Sequence, residues 1–113
     1  RLKVLFTISP YRYAKYGMHG NQLAKSTLML AVDRLCADND NALYFPAYEI
    51  VTDELRDYRF FDADMLHPSA QASDYVWQRF REWTFSPERT PPNRPHPHSG
   101  RETCGGRTAI ILG

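Results

Sequence analysis

Asp64 and His67 stand three residues apart in the stretch Asp64-Met-Leu-His67, and that pairing has a definite chemistry. A carboxylate three residues before a histidine can accept a hydrogen bond from the imidazole Nδ1–H across one turn. The bond fixes the tautomer and leaves Nε2 to take a proton from a nucleophile. Asp64 would orient His67 and stabilise its imidazolium, which is two-thirds of a hydrolytic triad made from one local segment. By chain order Ser9 could be the third member. Pro10 follows it, however, and contributes no N–H to an oxyanion hole, and no flanking glycine permits a sharp nucleophile elbow. Ser9 therefore reads as a strand-ending serine that hydrogen-bonds the following loop.

Other polar residues have simpler readings. Arg12 follows the first apolar run, on the side where open α/β sheets bind ligands. It could hold an anionic or carbonyl group, against the alternative of a salt bridge to Asp53 or Asp57. Tyr48 and Glu49 follow the second apolar run and could line the same crevice, with packing as the competing reading. Arg56, Asp57 and Arg59 are expected to form a salt-bridge lattice, and His19 to be solvated in a loop. His96-Pro97-His98 has no nearby carboxylates or paired cysteines, so no metal is expected. Cys36 reads as a small buried hydrophobe, and Cys104 lies in the tail.

The elements that must position these residues follow from the apolar pattern. The run Leu-Lys-Val-Leu-Phe-Thr-Ile over 2–8 is β-branched and aromatic and ends at Ser9-Pro10. Its continuous Val4-Leu5-Phe6 core fits a strand covered on both faces, as in a parallel sheet. Residues 9–21, with Pro10, Gly17, Gly20 and Asn21, read as a loop. A helix is expected over 22–37, its apolar face formed by Ala24, Leu28, Ala31, Val32 and Leu35. Asp38-Asn39-Asp40-Asn41 supplies a stop, and Ala42-Leu43-Tyr44-Phe45 a second strand ended by Pro46. Strand, helix, strand with short turns is a βαβ unit. The aromatic and charged segment 47–67 follows, with one helical turn expected near 53–57. Ser69 is the expected N-cap of a final helix to about Trp83, whose apolar face is Ala72, Val76, Phe80 and Trp83. A connection as long as 47–67, feeding a helix N-terminus, is where function is expected.

Length and charge narrow the class. The 113 residues carry a formal net charge of +1, without the basic excess of a nucleic-acid-binding protein. No 18-residue apolar run, signal peptide or disulfide framework is visible. The average hides a break near residue 85. Residues 1–85 hold 10 basic and 11 acidic side chains and all 15 aromatics, whereas 86–113 hold 4 Arg, 2 Glu, 5 of the 8 prolines and 4 of the 6 glycines. A segment of that composition buries too little apolar surface to offset its ordering entropy. Residues 86–113 are therefore expected to be a disordered tail. Its last apolar run, from Thr108 to Leu112, is too short to make a domain. The folding unit is then residues 1–85, near the lower limit for a self-sufficient core, and is expected to be part of something larger.

Five collinear stretches carry a family resemblance. They are Phe6-Thr-Ile-Ser-Pro-Tyr-Arg12, Lys25-Ser-Thr-Leu-Met-Leu-Ala-Val32, Tyr44-Phe-Pro-Ala-Tyr-Glu-Ile50, Asp53-Glu-Leu-Arg-Asp-Tyr-Arg-Phe60 and Asp64-Met-Leu-His-Pro68. Together they resemble the C-terminal half of the GSCFA domain, a member of the SGNH (GDSL-like) hydrolase superfamily. The resemblance implies a fragment of a three-layer α/β/α fold with a parallel sheet. It also implies a serine nucleophile on an upstream Gly-Ser-Cys-Phe-Ala segment, which these 113 residues do not contain. Asp64 and His67 match the superfamily's Asp-x-x-His pair on the loop before the last helix. In that family a histidine often stands where this chain has Tyr13.

The expected function is that of a C-terminal fragment of a serine ester hydrolase, an acyl or acetyl esterase, inactive alone for want of the serine. The alternative is a non-catalytic remnant or ligand-binding module of the same fold, using the crevice near Arg12, Tyr48 and His67. The esterase mechanism needs no metal or organic cofactor. The expected partner is a small-molecule or carbohydrate ester, with no nucleic acid and no membrane, and with a cytoplasmic location by default.

Overall fold

The computed structural model describes residues 2–85 and the backbone of 107–112. Strand β1 (Lys3–Ile8) leads through the loop 9–13 and a single 3-10 turn, Ala14–Tyr16, into helix α1 (Gly17–Asp38). Strand β2 (Ala42–Phe45) follows, then a short helix α2 (Ala47–Glu49) that widens into a π-helical turn, Ile50–Leu55. A second 3-10 turn, Tyr58–Phe60, precedes helix α3 (Ala70–Phe85). Strand β3 (Arg107–Leu112) completes the order.

The sheet is parallel, in the order β2-β1-β3. Leu5 pairs with Leu43 and Thr7 with Phe45 across β1 and β2, and the Thr7 hydroxyl adds a 2.7 Å bond to the Phe45 carbonyl. Because side chains alternate along a strand, Leu5, Leu43 and Phe45 share one face. There they join Ala47 and Ile50 in a core closed by Tyr75, Val76, Phe80 and Trp83 of α3. Phe80 meets Phe45 edge-on at 5.2 Å between ring centroids, and Trp83 lies 5.7 Å from the same ring. Helix α1 takes the opposite face, where Tyr44 lies beside Cys36. A parallel sheet with helices on both faces is the α/β arrangement that the Val4-Leu5-Phe6 run requires.

Three expectations are corrected. Helix α1 begins at Gly17, a full turn before Gln22. Gly20, read as a loop residue, instead lets the chain pass Tyr16 closely: a Cβ there would lie 2.7 Å from the Tyr16 Cβ. The buried face of α1 is also rotated from the expected one. Asn21, Lys25 and Val32 are buried, while Ala31 and Leu35 are exposed. Apolar residues on several sides of this helix blurred its periodicity. Finally, residues 107–112, assigned to a disordered tail, form β3. They pair in parallel with β1 from Lys3↔Arg107 to Ile8↔Leu112. The β-branched run is short in isolation, but it completes the ladder on the β1 edge that β2 leaves open, a partner invisible to local composition. The expectation for 86–106, including His96, His98 and Cys104, lies outside the described residues.

Among the described residues, no helix is long and apolar enough to cross a membrane.

Candidate functional site

The Asp64–His67 segment is a tight closed turn. Phe61 and Pro68 form an antiparallel bridge at its base. Above the bridge, the Asp62 amide donates to the His67 carbonyl at 2.8 Å, and the Met65 amide donates to the Asp62 carbonyl at 2.8 Å. Met65 sits in the left-handed region at φ 62°, a conformation that L-residues enter mainly inside constrained turns. This kink swings the chain so that Asp64 Oδ1 receives the amides of Leu66 at 2.8 Å and His67 at 3.0 Å. The other carboxylate oxygen, Oδ2, meets His67 Nδ1 at 2.5 Å. The turn then feeds α3, with Ser69 as its cap: the Ala72 amide donates to Ser69 Oγ at 3.2 Å, as the sequence predicts.

Hydrogen bonding sets the electrostatics. The His67 amide, then the His67 side chain, then the Leu66 amide hold the Asp64 carboxyl down at about 2. A carboxylate that accepts several hydrogen bonds is stabilised as the anion. Asp64 is therefore ionised throughout the range in which enzymes work. Both side chains are partly open, with His67 58 % and Asp64 43 % exposed.

The loop 9–13 braces the turn from the side of the sheet. The Arg12 amide donates to the Leu66 carbonyl at 3.1 Å, and Arg12 Nη1 reaches the Met65 carbonyl at 3.3 Å. The guanidinium lies 5.3 Å from the Phe61 ring centre and 5.8 Å from that of Tyr58. The Tyr11 ring rests 4.5 Å from the His67 ring, tilted by 45°. Arg12 is thus seated against the turn that carries His67. The expected bridge from Arg12 to Asp53 or Asp57 is absent, because Asp53 faces Arg56 at 3.9 Å and Asp57 faces Arg59 at 3.6 Å. These are two separate exposed pairs and not a lattice. The segment 47–67 is held instead by buried Ile50, Val51 and Phe60.

Tyr48 stands near enough to this group for the Arg12 charge to act on its phenol. Its ring is buried and its hydroxyl donates to Gln22 Oε1 at 2.7 Å, contacts that fit the packing reading. Glu49 accepts the Tyr44 hydroxyl at 2.8 Å. Ser9 behaves as predicted: its Oγ accepts the Tyr11 amide at 3.2 Å. His19 is exposed, but on the first turns of α1 and not in a loop. Among the described residues, no cluster of three or more His, Cys, Asp or Glu could hold a metal.

Sequence reasoning missed Tyr11, Asn21 and Lys25. Asn21 Oδ1 accepts the Tyr13 amide at 2.8 Å, and Lys25 Nζ donates to the Ser9 carbonyl at 2.7 Å. Their spacing is one helical turn, followed by Leu28 and Val32 on the same face. Two polar side chains on that stripe become a signal only once the inward side of α1 is known.

The molecule is thus an α/β protein with a parallel sheet and an oriented Asp–His pair before its last helix. The GSCFA family model matches residues 1–80, and the chain belongs to the GSCFA family. No curated protein and no solved structure matches it.

Proposed function

We propose that this chain supplies the Asp–His pair of a serine ester hydrolase. The observation that carries the reading is the contact of Asp64 Oδ2 with His67 Nδ1, with the same carboxylate anchored by two backbone amides. An anchored anion at Nδ1 places the proton there and leaves Nε2 as the base. Membership of the GSCFA family supports the reading, through that family's likeness to SGNH hydrolases.

In this mechanism the nucleophile is the serine of a Gly-Ser-Cys-Phe-Ala segment that these 113 residues do not contain. Its Oγ attacks the ester carbonyl while its proton passes to His67 Nε2. The resulting imidazolium is stabilised by Asp64, and the Nε2 proton then goes to the departing alcohol as the C–O bond breaks. Water deacylates the serine along the same proton path. The substrate class is an acyl or acetyl ester of a small molecule or carbohydrate.

The test is p-nitrophenyl acetate hydrolysis by the 113-residue chain and by a longer polypeptide that includes the serine segment. The short chain is expected to be inactive. In the longer one, His67→Ala should lower kcat by about 10²–10⁴-fold, the usual contribution of a general base. Full activity after His67→Ala refutes the role of His67. Turnover by the short chain that His67→Ala abolishes refutes the need for an outside serine.

A further inference from the structure

Lys25 is 1 % exposed, and a lysine so deeply placed ordinarily has a carboxylate partner. Here its ammonium has a backbone carbonyl, that of Ser9 at 2.7 Å, and two ring faces, Tyr13 at 4.3 Å and Tyr48 at 5.6 Å from the centroids. Burial pushes the amine down from its ordinary range. One turn earlier, buried Asn21 takes the Tyr13 amide. Both side chains of α1 therefore grip the loop 9–13, one at each end.

That same loop carries the contacts to the Asp-x-x-His turn. Tyr11 and Arg12 lie between the two gripped positions, Ser9 and Tyr13. Tyr11 packs on the His67 ring, and Arg12 binds the carbonyls of Leu66 and Met65. We infer that Lys25 and Asn21 are positioning residues: they fix the loop 9–13 at a height that seats Tyr11 and Arg12 against the turn and holds the His67 ring in register with Asp64. The pair is local in sequence, but its orientation is set from the opposite layer of the fold. Two polar groups on the inward face of α1, where apolar ones would pack at lower cost, have this purpose.

The inference deepens the hydrolase reading and takes its catalytic meaning from it. Its test reads the His67 ring directly, so it succeeds or fails apart from any esterase assay. The 113-residue chain, labelled with ¹⁵N, is examined by long-range ¹H–¹⁵N correlation of the His67 ring and by NOEs between the Tyr11 and His67 rings. The wild type should show the Nδ1–H tautomer and strong NOEs. Lys25→Met should lose the NOEs and move both ring nitrogens toward the averaged shifts of an unheld imidazole. Lys25→Arg, which keeps a cationic donor, should restore them in part. Val32→Ala, on the same buried stripe, should lower stability and leave the ring signals in place. A folded Lys25→Met chain with wild-type ring signals overturns the inference, and so does equal loss of those signals in Val32→Ala. Where Lys25→Met fails to fold, Asn21→Ala decides: loss of the NOEs supports the inference and their persistence overturns it.

Discussion

Arg12 offers the sharpest test of how the site is built, because two roles for it predict different measurements. As a brace, its guanidinium bonds the Met65 carbonyl at 3.3 Å and stacks on Phe61 and Tyr58. As a substrate ligand, it would stabilise nothing in the free chain. A hydrogen bond from a charged donor contributes about 1.5–3 kcal/mol when sheltered, and this long, exposed bond belongs well below that range, at about 0.5 kcal/mol. Each ring contact adds about 0.5 kcal/mol at an exposed site. Arg12→Ala keeps the backbone bond to Leu66 and loses the rest, about 1.5 kcal/mol in all by the same figures. For a domain of this size that lowers Tm by roughly 6–12 °C. Arg12→Lys keeps the charge without the planar stack and should fall between the two. Thermal unfolding of the 113-residue chain, followed by circular dichroism, gives the answer. An Arg12→Ala chain with the wild-type Tm refutes the brace. A raised KM in the serine-containing polypeptide at unchanged Tm would then mark Arg12 as a substrate ligand.

Two further outcomes follow from the same turn. The Asp64 carboxyl sits at about 2 in the folded chain against an ordinary 3.8. Its contribution to stability is thus complete above about pH 4 and is lost as pH falls from there toward about 2. Asp64→Asn should flatten the acid limb of the stability–pH curve in that window, read by urea titration at several pH values, and an unchanged limb would refute the hydrogen-bonded anion. Ser69→Ala removes the cap of α3 and should cost about 1 kcal/mol, measured as a lower urea midpoint at constant slope.

Much of the frame was legible because it is local. Val4-Leu5-Phe6 announces a strand covered on both faces, Ser69 announces the start of α3, and Asp64 and His67 need only three residues to meet. What escaped is long-range or depends on a close approach. Gly17 and Gly20 signal a break by composition, yet Gly20 is where α1 passes Tyr16. The run from Thr108 to Leu112 has no partner until β1 is in place. Arg12 meets ring faces and a carbonyl and not the expected aspartates, because the loop after β1 runs beside the turn while Asp53 and Asp57 face Arg56 and Arg59. Lys25 was hidden within an apolar stretch whose inward side is apparent only once the helix is docked.

The hydrogen bonds that tie the sheet loop to the turn end on main-chain carbonyls: Met65 and Leu66 each offer a carbonyl oxygen to Arg12. Such a frame is indifferent to what those positions carry as side chains. Met65, 41 % exposed, stands directly between Asp64 and His67 at the rim of the pair, and Leu66 follows it. Met65 can therefore be exchanged for any side chain that tolerates its left-handed backbone without breaking these two bonds. If the hydrolase reading holds, position 65 is where the ground beside the Asp64–His67 pair can change in shape while the pair itself stays still.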